Sequence, residues 1–265
     1  MRRRKFARSV GGIGTLGVLG VSSVNADETS PTVKELGLTD KIRELHLEGE
    51  PEKASKLLEK NNVKQSTQSR SGSALTDDSS EGDVSPDGHY SSPDGDTEFN
   101  LNIAEFSGED RYVVTGSGTL ADRVLSVRDA ALVPDALGLL FDTNEWTVDP
   151  DFDIENATAA SSDAGGASAS VATIELNRGT GIEVELPDLL NEPTTVTSQI
   201  VLEKTGTSES APVALEYEHT WTGIDTPQPI SIGLGVSASI STLEVDLTNS
   251  SVNWALSPPL TTGPN

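Results

Sequence analysis

Apolar side chains recur at every second position through much of the chain after Glu98. The clearest run extends from Ile230 to Ile240, where Ile, Leu, Val and Ala alternate with Ser and Gly. Successive side chains of a β-strand point to opposite faces, so a period of two separates an apolar face from a polar one. The pattern predicts antiparallel sheets with one buried face and one face in water.

About ten such runs, separated by turn-forming sequences, lie between residues 98 and 256. Their number and length predict a mainly β domain over residues 98–265, an antiparallel β-sandwich or jelly roll. The segment Leu120–Phe141 is an exception, because its apolar residues do not alternate cleanly. We expect a short helix or an apolar crossover there, with Pro134 limiting the length of any helix.

Two segments precede the predicted β domain. Apolar residues recur mostly at helical spacing in residues 27–64, and Gly49 and Pro51 interrupt the pattern, which predicts a short helical hairpin. Residues 65–97 are rich in Ser, Asp and Gly. They bury too little apolar surface to offset the entropy of ordering, so we expect a disordered linker.

Acidic residues outnumber basic ones by 42 to 18, and the net charge is −24. Residues 98–265 carry −21 of that charge and contain a single lysine, Lys204. Such a surface repels nucleic acid and anionic membranes, because binding to both requires Lys and Arg to neutralise phosphate. In molar salt the repulsion between carboxylates is screened over roughly 3 Å, so the composition favours a high-salt environment. An ordinary acidic secreted protein is the alternative.

Residues 1–26 have the pattern of a removable export signal. A basic start is followed by a weakly hydrophobic, glycine-rich run that ends at Ala26, and this run is too short and too polar to span a membrane as a stable helix. Paired Arg3 and Arg4, followed by Phe6, resemble the twin-arginine motif. A general secretory signal is the alternative.

The leader and the acidic body together resemble twin-arginine-exported secreted proteins of haloarchaea. The resemblance implies that the twin-arginine translocase is a partner during export, that the mature protein is extracellular, and that residues 1–26 are removed. It covers the leader motif and the overall composition, and it assigns no catalytic residue.

One acidic run has the spacing of a possible calcium site. Carboxylates occur at every second position, in Asp149, Asp151, Asp153 and Glu155. On a strand they would share one face and offer the hard oxygen ligands that Ca²⁺ prefers, although the glycine and glutamate of the helix–loop–helix calcium loop are missing. A solvated acidic face is the other interpretation. No other cofactor is expected.

Three further residues share one face of a predicted strand, namely Tyr217, His219 and Trp221. Exposed aromatic rings on a sheet would form a platform for a glycan. Because Val213 and Leu215 have the same parity, a position in the core or at its rim is the other interpretation. Asn156 and Asn249 begin N-glycosylation patterns, which require exposed turns.

The motifs of common hydrolases are missing from the sequence. Histidine occurs three times, and neither Gly-x-Ser-x-Gly nor His-Glu-x-x-His is present. The chain contains no cysteine, which excludes thiolate chemistry and disulfides. We therefore expect a non-enzymatic extracellular or cell-surface protein that acts in binding, adhesion or surface structure. Its expected partner is a glycan or a cell-surface protein, and no integral membrane anchor is expected. A secreted, carboxylate-dependent polysaccharide hydrolase is the alternative.

Overall fold

The structure is a computed structural model that describes residues 30–71, 97–107, 110–120, 123–124, 134–149, 160–162, 167–186, 189–190, 193–208, 211–222, 230–237, 240–247, 250–256 and 259–264. Two helices and sixteen strands lie within these ranges. They are α1 (Thr39–Leu47), α2 (Pro51–Lys60), β1 (Gln65–Ser71), β2 (Glu98–Ser107), β3 (Arg111–Leu120), β4 (Arg123–Val124), β5 (Asp135–Phe141), β6 (Trp146–Val148), β7 (Ala160–Ser161), β8 (Ser168–Glu175), β9 (Gly179–Glu185), β10 (Leu189–Leu190), β11 (Thr194–Lys204), β12 (Val213–Thr222), β13 (Ile230–Ser237), β14 (Ile240–Leu247), β15 (Ser250–Ala255) and β16 (Leu260–Thr262).

Two antiparallel sheets form a sandwich. Sheet A has the strand order β1-β2-β3-β11-β6, and β7 also pairs with β11. Sheet B has the order β15-β12-β5-β9-β8, and β16 also pairs with β12. Strands β13 and β14 form a separate hairpin, and β4 pairs with β10. The predicted antiparallel β-sandwich is confirmed.

The main core lies between the two sheets. Strand β2 contributes Phe99, Leu101 and Ile103, and strand β5 contributes Leu137 and Leu139 from the opposite sheet. Each of these five side chains is at most 1 % exposed. Their spacing of two along each strand is the alternation seen in the sequence, because only one face of each strand points to the other sheet.

The predicted helical hairpin covers the outer face of sheet A. Ile42 of α1 and Leu58 of α2 are fully buried there, against Ala104, Val113 and Val201 of the sheet. The basic residues of the helices pair mainly with acids one turn away, as in Lys41–Glu44 and Lys56–Glu52. Apolar contact therefore attaches the hairpin to the sandwich, while its charges face solvent.

The β13–β14 hairpin covers the outer face of sheet B. Leu234 and Leu243 of the hairpin pack on Ala136, Leu140 and Ala214 of the sheet. Two hydrogen bonds also attach it: Ser241 Oγ donates to the carbonyl of Phe141 (3.0 Å), and the Leu243 N–H donates to Glu216 Oε2 (2.8 Å). The molecule thus has four layers, in the order helices, sheet A, sheet B and hairpin.

This extra layer corrects the prediction for Leu120–Phe141. Asp135–Phe141 is a strand, and all seven of its residues are buried. Leu137 and Leu139 face the main core while Leu140 faces the hairpin, so apolar residues occupy both faces and the alternation disappears. The expected short helix or crossover is wrong for these residues.

A second correction concerns the segment expected to be a linker from residue 65. Gln65–Ser71 is strand β1, and it pairs with β2 along its whole length. Main-chain hydrogen bonds stabilise it, and the Asn102 amide adds a side-chain bond to Thr67 Oγ1 (2.8 Å). A polar edge strand needs few apolar residues of its own, so composition did not reveal it. Residues 72–96 lie outside the described part of the chain.

Candidate functional site

Of the four predicted calcium ligands, the structure describes Asp149. Asp149 follows β6 and is buried, and its Oδ2 lies 3.4 Å from a guanidinium nitrogen of Arg111. Asp151, Asp153 and Glu155 lie outside the described residues. Among the residues that the structure does describe, no group of three or more His, Asp or Glu is placed to hold a metal ion. The calcium site stays a prediction.

The predicted aromatic platform is also described in part. Tyr217 and His219 lie on β12, and both are fully buried, so these two side chains do not present ring faces to solvent. The side chain of Trp221 lies outside the described part. The predicted export residues Arg3, Arg4, Phe6 and Ala26, and the predicted glycosylation residues Asn156 and Asn249, also lie outside it.

Tyr217 and His219 belong to a buried network centred on Asp135. The Tyr217 hydroxyl donates to Asp135, and His219 Nδ1 lies 3.0 and 3.1 Å from the two carboxylate oxygens. The N–H of Thr220 donates to Asp135 Oδ1 at 2.9 Å. Asp135 is 2 % exposed. A carboxylate with this many hydrogen bonds tolerates burial in a region of low dielectric constant.

Strand pairing brings the network together. Leu137 of β5 lies opposite Tyr217 of β12, which places Asp135, two residues earlier, beside His219. Phe99 of sheet A packs against the Tyr217 ring at 5.0 Å between centroids. The sequence indicated the two aromatic residues but not Asp135, because a single acid at the start of an apolar run carries no local signal.

An Asp–His pair orients the imidazole in many hydrolases, but there the histidine also reaches the reacting group. Here Asp135, Tyr217 and His219 are each at most 2 % exposed and lie inside the sandwich. Their hydrogen bonds connect β5 to β12. The arrangement stabilises the pairing of these strands and offers no surface to a substrate.

A second polar layer lies under α1, on the outer face of sheet A. His46 Nδ1 lies 2.9 Å from Ser117 Oγ, and the Gln199 amide donates to Thr115 Oγ1 at 3.0 Å. Burial lowers the pKa of His46 to about 4. Three buried atoms of this layer have no hydrogen-bond partner among the described residues: His46 Nε2, Gln199 Oε1 and Thr197 Oγ1. The contact between α1 and the sheet is therefore sensitive to charge.

An open cleft of about 310 Å³ lies where β1, β2 and β3 meet the segment after β16. We call it the end cleft, and it is lined by Lys64, Gln65, Ile103, Glu105, Asp110, Tyr112 and Pro264. Lys64 Nζ lies 3.9 Å from Glu105 Oε2. The Tyr112 ring packs edge-on against Trp146, with 5.4 Å between centroids.

The electrostatics of the end cleft are acidic. Burial, with a smaller contribution from Asp110 and Glu105, raises the pKa of the Tyr112 hydroxyl, so this group stays protonated and neutral at pH 7. Asp110 has a positive φ of 60°, a conformation that Asp and Asn adopt more readily than most residues. The cleft thus combines an ammonium, two carboxylates and an aromatic ring. No local sequence pattern indicates the end cleft, because its residues come from four separate segments.

No family model matches the chain, and no curated protein matches it. Several solved structures show weak similarity, and three of them illustrate its extent. The KRT10-binding region domain of the pneumococcal serine rich repeat protein PsrP is 9 % identical, with 61 % of this chain and 90 % of that chain covered, at a TM-score of 0.31. A Fap1 structure from Streptococcus parasanguinis, concerned with pH-induced modulation of adhesion by fimbriae, is 10 % identical, with 62 % and 80 % covered and a TM-score of 0.28. A pore forming protein is 6 % identical, with 76 % and 89 % covered and a TM-score of 0.29.

These TM-scores are too low to establish a shared fold. Among the described residues, neither helix is long and apolar enough to cross a membrane.

Proposed function

We propose that this chain is an exported, non-enzymatic β-sandwich protein that binds a glycan or a cell-surface protein outside the cell, in high salt. One observation carries the proposal. The described acid–base cluster, Asp135 with Tyr217 and His219, is sealed inside the sandwich, whereas the polar groups of the end cleft face solvent. Among the described residues, the polar groups of the end cleft can be reached by a partner, and they are suited to binding a partner more than to catalysis.

The four-layer architecture supports the same conclusion. Both outer faces of the sandwich are covered, one by the helices and the other by the β13–β14 hairpin. A fold closed on both faces gives a rigid scaffold, and rigid scaffolds present binding groups at their ends and loops. The end cleft is at such a position.

Export and salt adaptation are supported by composition. Arg3 and Arg4 begin the leader motif, and the charge of −24 is concentrated in the sandwich. Carboxylates on this surface repel one another in dilute buffer, and molar salt removes that repulsion.

The test uses the full chain, expressed with its leader in a host that grows in molar salt. Purified protein is incubated with a panel of polysaccharides and with isolated cell envelopes, and both retention and release of reducing ends are measured. Retention without release supports the proposal. Release of reducing ends overturns the non-enzymatic part, and failure to be retained on any surface overturns the binding part.

Export is tested separately. Replacing both leader arginines (Arg3→Lys with Arg4→Lys) is expected to keep the protein inside the cell, because the paired arginines define the motif. A matched variant, Arg8→Lys, keeps the charge but leaves the pair intact, and it should be exported normally. Undiminished export of the double variant would contradict the twin-arginine route.

A further inference from the structure

The end cleft has walls that are fixed by hydrogen bonds. The Glu105 N–H donates to the Lys64 carbonyl at 2.9 Å, which holds Lys64 beside β2. Ser66 Oγ lies 2.7 Å from Thr262 Oγ1, which ties β1 to β16 and places Pro264 across from sheet A. A cleft with walls of this kind is formed before a ligand arrives, so binding costs little ordering of the protein.

Its polar groups are both donors and acceptors. The Lys64 ammonium donates hydrogen bonds, and the carboxylates of Glu105 and Asp110 accept them. Lys64 and Glu105 keep 45 % and 23 % of their side-chain surface in solvent, so a ligand can reach them. A ligand that matches both kinds of group must itself donate and accept, and a hydroxyl group does both.

The cleft also has an apolar part. Ile103 contributes a buried surface, and Pro264 and the half-buried Tyr112 contribute partly exposed ones. Trp146 contacts the Tyr112 ring at 89° and holds it in place. Rings of this type pack against the C–H faces of flat, amphipathic ligands. Hydroxyl groups at the edge of a ring and C–H groups on its faces are the chemistry of a sugar.

The charge of the cleft selects among sugars. Two carboxylates against one ammonium leave a net negative charge inside the cleft. A phosphate, sulfate or uronate group bound there would lie in contact with a carboxylate, where molar salt screens the repulsion only in part. The volume of about 310 Å³ is near the lower limit for small-molecule sites, so the cleft fits a short stretch of a saccharide chain.

We propose that the end cleft is a binding site for a neutral saccharide. The carboxylates of Glu105 and Asp110 accept hydrogen bonds from sugar hydroxyl groups, Lys64 donates to a sugar oxygen, and the Tyr112 ring packs against the sugar face. The inference rests on the proposed binding function and deepens it. Hydrogen bonds and ring contacts persist in molar salt, where long-range charge attraction is screened.

The test is isothermal titration of the full chain with neutral gluco- and manno-oligosaccharides in molar salt. Asp110→Asn is the informative variant, because Asn also adopts the positive φ of this position and keeps the fold while removing the charged acceptor. It should weaken binding about tenfold or more, the usual effect of losing a charge-assisted hydrogen bond. The matched control is Asp246→Asn, which removes one exposed carboxylate from the distant β13–β14 hairpin and should leave the affinity unchanged.

Each outcome decides one of the two proposals. Weaker binding by Asp110→Asn but not by Asp246→Asn supports the saccharide site. Equal binding by all three proteins overturns the site but leaves the binding function standing. Retention on cell envelopes without uptake of any neutral saccharide overturns the saccharide class alone. Release of reducing ends overturns the non-enzymatic function, and release that Asp110→Asn leaves unchanged overturns the cleft as well.

Discussion

Lowering the pH from 7 to 4 is expected to destabilise the protein through His46. The imidazole projects from α1 towards sheet A and is 1 % exposed, with Nδ1 2.9 Å from Ser117 Oγ. Burial disfavours the charged form, so the folded protein holds the pKa at about 4, whereas the unfolded chain has the ordinary value of 6.5. Between these two values the unfolded chain binds the proton and the folded protein does not.

The size of the effect follows from this difference. It corresponds to about 3 kcal/mol of unfolding free energy, a large part of the stability of a typical domain. The effect is absent well above pH 6.5 and grows as the pH falls towards 4. Below about 4 the folded protein also binds the proton and the loss levels off. Because α1 and α2 attach through one contact surface, release of the helices from sheet A is expected to precede loss of the sandwich.

The assay is urea unfolding at fixed molar salt across this pH range, for the wild type and for His46→Asn. Asn does not titrate, and its amide can still reach towards Ser117. Partly buried carboxylates with raised pKa, such as Glu98 and Glu216, act in the opposite direction in both proteins, so their effects cancel in the difference. The difference in unfolding free energy between the wild type and His46→Asn should change by about 3 kcal/mol from pH 7 to pH 4.

Two results would contradict a buried, neutral His46. One is a difference curve that stays flat within about 0.5 kcal/mol, since such a change is within the scatter of surface substitutions. The other is a nuclear magnetic resonance titration in which the His46 ring changes protonation near 6.5 in the folded protein. Either result would mean that the His46 imidazole is in contact with water and not buried between α1 and sheet A.

Three further predictions concern packing and buried polar groups. Gly116→Ala should lower the unfolding free energy by about 1–3 kcal/mol in the same urea assay, because the added Cβ would lie 2.6 Å from the side chain of the core residue Leu139. In the control Gly233→Ala the nearest atom lies 3.9 Å from the added Cβ, so the change should stay within about 1 kcal/mol. Tyr217→Phe removes a donor from buried Asp135 and should lower stability by about 1–3 kcal/mol; calorimetry showing no change would mean that this hydrogen bond contributes nothing net. Burial raises the pKa of Glu216 above 4.5, so the protein loses stability as the pH rises from 4.5 through the pKa of the folded state. Glu216→Gln should remove this loss and flatten that part of the urea pH profile. An unchanged slope would place this carboxylate in solvent.

The alternation of apolar residues was sufficient to predict the fold class. Runs such as Phe99, Leu101 and Ile103 bury one face, and the two sheets place that face in a common core. The helical hairpin was equally legible, since its apolar residues follow the helical period and Pro51 begins its second helix. Both are local signals, and each depends on residues a few positions apart.

The end cleft could not be predicted from local sequence patterns in the same way. Lys64, Glu105, Asp110 and Tyr112 come together because β1 pairs with β2, β2 pairs with β3, and the chain after β16 returns to them. Tyr217 and His219 were visible as a pair with common parity, but their partner Asp135 is more than 80 positions away in the chain. No local pattern records such a contact.

The antiparallel sheets, the helical hairpin and the excess of carboxylates follow from the sequence alone. Tertiary contacts set which faces are covered: β5 is buried on both sides because the β13–β14 hairpin packs over it, and polar β1 is ordered because it pairs with β2. The two differ because secondary structure follows from the periodicity of neighbouring residues, whereas burial and site geometry follow from contacts between segments far apart in the chain. Only strand pairing made an end cleft out of residues that the sequence keeps apart.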